Sequence, residues 1–174
     1  MSTYQKLSME DLGRINTEEF RRSQKNPVVL VLDNVRSLHN VGSAFRTADS
    51  FLIEAIYLCG VTGTPPHREI EKTALGATQS VNWKYFKTTT EAVAELRSQG
   101  YFIAAVEQAQ HAVKLNCFQK PEAALALIAG NEVYGVEQEV IDLCDTCIEI
   151  PQFGTKHSLN VAVSIGIVLW ELLR

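Results

Sequence analysis

Apolar positions along the chain fall into short unbroken runs separated by stretches of helical period. "VVLVLD" (28–33) is continuous and β-branched, the pattern of a strand covered on both faces. "AIYLCG" (55–60), "YFIAAVE" (101–107), "ALALIAG" (124–130) and "CIEIP" (147–151) repeat it, and "WKYFKT" (83–88) is a weaker sixth case. Helical patterns separate these runs over about 40–52, 89–99, 136–144 and 158–173. Strands alternating with helices predict an α/β fold, a parallel sheet with helices on both faces. Ligands of such folds bind beyond the carboxyl ends of the strands. Ahead of the first strand, 8–25 reads as a polar helical arm closed by Pro27, so the chain divides into an arm (1–26) and one domain (27–174). Ser8 with Asp11 resembles a capping box, and Thr17 offers a second helix start. The basic end of the arm, Arg21, Arg22 and Lys25, reads as a solvated face, with phosphate contact as the alternative. The loop "GVTGTPPHREIEK" (60–72) is rich in turn residues and long enough to be functional.

Two of the helical patterns carry more than packing. In "LHNVGSAFRTAD" the residues Val41, Ala44, Phe45, Ala48, Phe51 and Leu52 share one side, and Arg46 falls nearly opposite. Helical side chains lean toward the N-terminus, which places Arg46 over an expected open shelf at Gly42 and Ser43. His39 and Asn40 sit near the helix start. The last segment, "SLNVAVSIGIVLWELLR", is apolar almost all round, with Ser158 predicted as its N-cap. A sheet covers only one side of such a helix, so a partner subunit is implied.

At 174 residues this is one ordinary domain. The hydrophobic fraction of 46% and charged fraction of 21% are those of a soluble globular protein. A net charge of -4 excludes a polycation, so any nucleic-acid site must be a local patch. The N-terminal "MSTYQKLSMEDLG" lacks the apolar segment of a signal peptide, and a cytoplasmic protein is expected. Asn160, Ser164 and Glu171 interrupt the C-terminal apolar run, which reads as a buried helix and not a membrane span. Cys144 and Cys147 form a CxxC with no second pair nearby, so these two, with Cys59 and Cys117, are expected to be reduced and to behave as small apolar residues. Neither GxGxxG nor GxxxxGK[ST] occurs, which removes the usual support for dinucleotide and Walker-type sites. In "ALALIAGNEVYGVEQEV" a buried strand runs into Gly130, Asn131 and Glu132, then Gly135. A glycine there lets backbone approach a ligand closely; an ordinary strand-to-helix turn is the other reading.

Taken together, three motifs resemble the SpoU/TrmH branch of the SPOUT RNA methyltransferases. The first is Asn40, Gly42 and Arg46; the second is Gly130, Asn131, Glu132 and Gly135; the third is Ile150, Pro151, Gly154 and Ser158 to Val161. "EKTALGA" (71–77) also looks like the family. Gln152 stands where a methionine is common, and "SLNVAVS" replaces the usual "SLNVSVA". The resemblance implies a parallel α/β sheet whose C-terminal segment forms a deep trefoil knot, a topology that general rules would not have drawn. It implies S-adenosylmethionine bound bent within the knotted loops, no metal, and a homodimer with the site near the interface. The implied reaction is methyl transfer to a ribose 2'-hydroxyl of RNA. With only about 25 residues ahead of the first strand, recognition is expected to fall to the catalytic dimer and the arm, which favours tRNA over rRNA.

By the same resemblance Arg46 is the catalytic arginine, Asn40 positions it or the ribose, Glu132 and Asn160 hydrogen-bond around the pocket, and Ser158 helps order it. Ala105, Val106, Gly130, Asn131, Ile150 and Leu159 are the implied cofactor contacts. A guanidinium titrates above about 12, so Arg46 is expected to orient the hydroxyl and stabilise a developing alkoxide. Arg36, Arg46, Arg68, Lys72 and Lys156 could supply local positive charge for RNA if the fold clusters them. Three other readings remain: a non-catalytic RNA-binding member of the fold, a flavodoxin-like small-molecule enzyme, and transfer to a base nitrogen.

Overall fold

The six apolar runs all become strands, and a seventh, too short to show a pattern, joins them. The computed structural model describes residues 4–8 and 10–174. In chain order it runs α1 (Thr17–Arg22), β1 (Asn26–Asp33), α2 (Leu38–Ser50), β2 (Ile53–Cys59), α3 (Arg68–Ala74), α4 (Ala77–Ser80), β3 (Asn82–Phe86) and α5 (Thr89–Ser98). Then follow β4 (Phe102–Val106), β5 (Val113–Lys114), a 3-10 turn (Leu115–Cys117), β6 (Leu125–Ala129), α6 (Gln138–Ile141), β7 (Thr146–Glu149) and α7 (Val161–Leu173). The sheet order is β3-β2-β1-β6-β4-β7-β5, parallel throughout. The β6 strand lies between β1 and β4, although the chain lays it down after both. Among the described residues no helix is long and apolar enough to cross a membrane.

Alternation along the strands divides the core in two. Leu30, Leu32, Ile56 and Leu127 point to one face, where Phe45 of α2, Ile70 of α3 and Ile165 and Leu169 of α7 cover them. Val29, Val31, Ile103 and Ile128 point to the other, under Val93 and Leu96 of α5 and Val140 of α6. The central strands are buried on both faces, as their unbroken apolar runs require. Phe20 of α1 is buried in the first of these clusters, so the arm's helix docks on the domain.

Several local expectations change. Ser8 and Asp11 do exchange hydrogen bonds, but no helix follows them. The arm's helix starts at Asn16, whose side chain accepts from Glu18 and Glu19 N–H while Glu19 reaches back to the Asn16 amide. Arg21 donates to the Gln79 carbonyl and Arg22 pairs with Glu18, so these two basic groups already have partners within the chain. The loop after β2 is shorter than 60–72, because α3 begins at Arg68. The helix expected over 136–144 reduces to the four residues of α6.

The expected shelf beside Arg46 is closed. Gly42 is buried against α3, and a Cβ there would lie 2.1 Å from Thr73 Oγ1 and 2.2 Å from the Ile70 carbonyl oxygen. Its lack of a side chain lets two helices touch and leaves no space open. The final helix is capped by Asn160, whose Oδ1 accepts from Ala162 N–H at 2.9 Å, and not by Ser158.

A carboxylate-amide network beside a strand-end cavity

The β1 strand ends in Asp33, a fully buried carboxylate that accepts from Thr89 Oγ1, from Asn34 Nδ2 at 3.0 Å and from Glu137 N–H at 3.0 Å. Asn34 follows in the left-handed region (φ 54°). Its carbonyl accepts from Asn131 Nδ2 at 2.7 Å, which ties the end of β1 to the loop after β6. Burial, and then the nearby Asp33, raise the Glu137 carboxyl above its ordinary value.

The loop after β6 is a locked hairpin tip. Asn131 and Gly135 exchange backbone hydrogen bonds of 2.9 and 3.0 Å. Asn131 Oδ1 accepts from the amides of Val133 and Tyr134. Only glycine fits at 130, since a Cβ would fall 2.2 Å from the Gly135 carbonyl carbon.

Glu132, on that tip, reaches across to the start of α2. It accepts from the amides of Arg36 (3.1 Å) and Ser37 (3.0 Å) and from Asn40 Nδ2 (3.0 Å). Asn160 Nδ2 in turn donates to Asn40 Oδ1 at 3.1 Å. Asn40, Glu132 and Asn160, far apart in sequence, therefore form one network between the N-termini of α2 and α7. Burial pushes the Glu132 carboxyl up, but the hydrogen bonds from Asn40 and from the backbone outweigh it and leave the pKa lowered. Two of the donors are amides at a helix start, where negative charge is favoured.

A cavity of about 270 Å³ opens beside this network, at the carboxyl ends of β4, β6 and β7. Val106, Gly130, Asn131, Ile150, Ser158 and Leu159 line it, as does Glu132. Ala105 does not: it is buried one residue earlier in the core under α5 and α6. Asn40 and Asn160 are not in the lining: Asn40 is joined to it through Glu132, and Asn160, itself exposed, sits between the lining residues Leu159 and Val161. Arg46 is exposed on α2, outside the cavity lining of its own chain, and its guanidinium has no hydrogen bond or ion pair among the described residues. Sequence reasoning passed over Glu107 and Gln108, which also line the cavity. Their signal was present: two polar residues just past the carboxyl end of a buried strand. Of the other candidate cations, Lys72 is engaged by Glu69 at 2.7 Å, while Arg36, Arg68 and Lys156 are exposed.

A second, apolar hollow of about 500 Å³ lies on the outer side of α7, between Leu115, Ile150, Pro151, Val163, Ile167 and Trp170. Trp170 is 62% exposed and Val163 51%. The Cys144 thiol, by contrast, is pushed up to about 12, chiefly by burial.

Fold and site together define a parallel α/β protein with a ligand cavity at its strand ends, flanked by a carboxylate-amide network built from three separate loops. The chain belongs to the SpoU rRNA Methylase family, which it matches over residues 27–170. It is 31% identical over 148 residues to the 23S rRNA (guanosine-2'-O-)-methyltransferase RlmB of Neisseria meningitidis, covering 85% of this chain and 58% of that one. A putative TrmH family tRNA/rRNA methyltransferase of Staphylococcus epidermidis is 30% identical over 163 residues, 91% of this chain and 65% of its own. The chain thus spans less than two thirds of the length of these relatives. Among solved structures, the AdoMet-bound rRNA methyltransferase of Sinorhizobium meliloti superposes with a TM-score of 0.79 at 28% identity, over 87% of this chain and 58% of that one. The A. aeolicus TrmH/SpoU tRNA modifying enzyme gives 0.77 at 27%, over 89% and 77%.

Proposed function

We propose that this protein is an S-adenosylmethionine-dependent RNA methyltransferase that modifies a ribose 2'-hydroxyl. The observation that carries this reading is the joining of Asn40, Glu132 and Asn160, one residue from each sequence motif, beside the strand-end cavity. Relatives named as RNA methyltransferases, and the AdoMet in the Sinorhizobium meliloti structure, support the reaction and the cofactor.

The cavity's composition fits that cofactor. Ile148, Ile150, Leu159 and Val161 offer an apolar wall for a flat base. Glu107 and Glu132 line it, and no Lys or Arg does among the described residues, which suits a ligand carrying a positive sulfonium. When bound, S-adenosylmethionine supplies an already activated methyl group.

What the chain itself must do is place the ribose and manage its hydroxyl proton; alignment of this kind is worth up to about 7–11 kcal/mol. Arg46 orients the hydroxyl and stabilises the developing alkoxide, its fork also suiting an adjacent RNA phosphate. Asn40, held between Glu132 and Asn160, fixes the start of the helix that carries Arg46. Six helical steps lead from Asn40 to Arg46, about 9 Å along the axis. Arg46 therefore acts on a cavity brought to it by assembly, and the working unit of this reading is a homodimer. The unpartnered apolar side of α7, with Trp170, Val163 and Ile167, is the face that a second copy would cover. The late insertion of β6 between β1 and β4 accords with a C-terminal trefoil knot, which belongs to the same reading. So does the division at residue 26 into arm and domain.

For the substrate, tRNA follows from the sequence reading and rRNA from relatives such as RlmB. The deciding experiment incubates the protein with labelled S-adenosylmethionine and total RNA from cells lacking it. Label should enter RNA, appear in dinucleotides after alkaline hydrolysis because a 2'-O-methyl blocks cleavage of the following phosphodiester, and vanish with Arg46→Ala; size fractionation then names the RNA. Label at a base nitrogen, or full turnover by Arg46→Ala, would overturn the assignment.

A further inference from the structure

At the end of β4 the chain passes from Val106 into Glu107 and Gln108, both at the cavity. The Glu107 carboxylate is fixed at both oxygens. Oε1 accepts from Gln108 N–H at 2.7 Å, and Oε2 accepts from Val136 N–H at 2.9 Å. It presses on Gly135, where a Cβ would fall 2.0 Å from Oε2. Gln108 Nε2 donates to the His157 carbonyl at 2.6 Å, which pins the same strand end to the loop before α7. Glu107 has no ion-pair partner among the described residues.

Among the described residues two carboxylates line the cavity, and one of them is free for a ligand. Glu132 is turned to Asn40 and to the amides of Arg36 and Ser37. Each Glu107 oxygen keeps a further acceptor site after its one N–H bond. Its rotamer is already fixed, so binding loses little side-chain freedom. Such a group presents two adjacent acceptors to whatever enters, and its complement is a pair of adjacent hydroxyl donors. An acid past the carboxyl end of a parallel strand, facing a glycine-containing turn, is also how open α/β sheets hold a nucleoside ribose.

We propose that Glu107 binds the 2',3'-diol of the adenosyl ribose and so selects a ribonucleoside ligand. This rests on the cofactor reading above. The test is a two-way comparison by calorimetry on the full chain without RNA. S-adenosylhomocysteine and its 2'-deoxy and 3'-deoxy analogues are titrated into wild type and Glu107→Gln. A hydrogen bond to a charged group predicts that losing either hydroxyl weakens wild-type binding about 10- to 100-fold. The Glu107→Gln variant should bind the intact ligand weaker by a similar factor and lose less than about threefold more with the deoxy ligands.

A residue that merely braced the loop would weaken all three ligands together and leave the hydroxyl dependence unchanged; that result overturns the proposal. The Gln amide oxygen still serves Val136 N–H, and circular dichroism checks the variant's fold. Should the variant not fold, the wild-type ligand series decides alone, since equal affinity for all three ligands refutes the diol contact. If wild type binds neither S-adenosylmethionine nor S-adenosylhomocysteine, the cofactor reading itself falls, and the role of Glu107 with it.

Discussion

Replacing Gly42 by alanine puts the helix-packing account to a direct test. In the interior of a helix this change ordinarily raises stability by about 1 kcal/mol. Here the added methyl would lie 2.1 Å from Thr73 Oγ1 and 2.2 Å from the Ile70 carbonyl oxygen, where ordinary contact begins near 3.4 Å. Thr73 can rotate away, but the Ile70 carbonyl is α3 backbone, and α3 must retreat by about 1 Å. Overpacking costs about 1–3 kcal/mol, and a clash with backbone belongs in the upper part of that range, about 2–3 kcal/mol. Set against the propensity gain, a net loss of about 1–2 kcal/mol is expected, or about 2–8 °C in Tm for a chain of this size. Thermal unfolding followed by circular dichroism measures it, with a urea titration at unchanged slope as the cross-check. A Tm equal to or above that of wild type would refute the claim that α2 and α3 meet through Gly42.

The Glu132 carboxyl has a lowered pKa in the fold, so its stabilising contribution is complete above the unfolded value of about 4.3 and is lost as pH falls through the folded value. The stability gap between wild type and Glu132→Gln should therefore be full at pH 7 and close in stronger acid; a gap independent of pH in denaturant titrations would contradict the network. Trp170→Glu places a charge on the exposed side of α7; under the homodimer proposal, light scattering should show wild type as a dimer and the variant shifted toward monomer, and an unchanged mass would remove that face as the interface. Asn160→Ala removes both a helix cap, worth about 0.5–2 kcal/mol, and the hydrogen bond to Asn40. Asn160→Ser, which keeps a cap oxygen but not the bond to Asn40, should recover most of the cap's share in parallel melts, and a Ser variant no more stable than the Ala variant would count against the assigned cap.

Much of the sheet was legible because its central strands are buried on both faces and must be apolar without interruption. β1 and β6 could hardly be anything else. β5 was not legible: Val113–Lys114 has two residues and no period, and it pairs only because β7 offers an edge. The α7 cap was misplaced because Ser158 and Asn160 are both good caps, and only the path of the chain past the cavity decides between them. Gly42 belongs to a motif visible in sequence, but the reason for it lies in α3, whose first residues read as part of the turn-rich stretch 60–72. In the site, Asn40, Glu132 and Asn160 were singled out and do meet. Glu107 was passed over because its partners are the backbone amides of Gln108 and Val136, and amides carry no signature in sequence.

The place of β6 in the sheet sets a timetable for synthesis. Until residues 125–129 leave the ribosome, β1 lacks its inner neighbour and β4, whose other partner β7 is made later still, has none at all, so the nascent chain holds one partial sheet and a lone strand with an open seam between them. Both strands bordering that seam are apolar and carry unpaired backbone groups, the kind of edge that recruits other chains. A fragment released before the seam closes should therefore precipitate instead of folding in part.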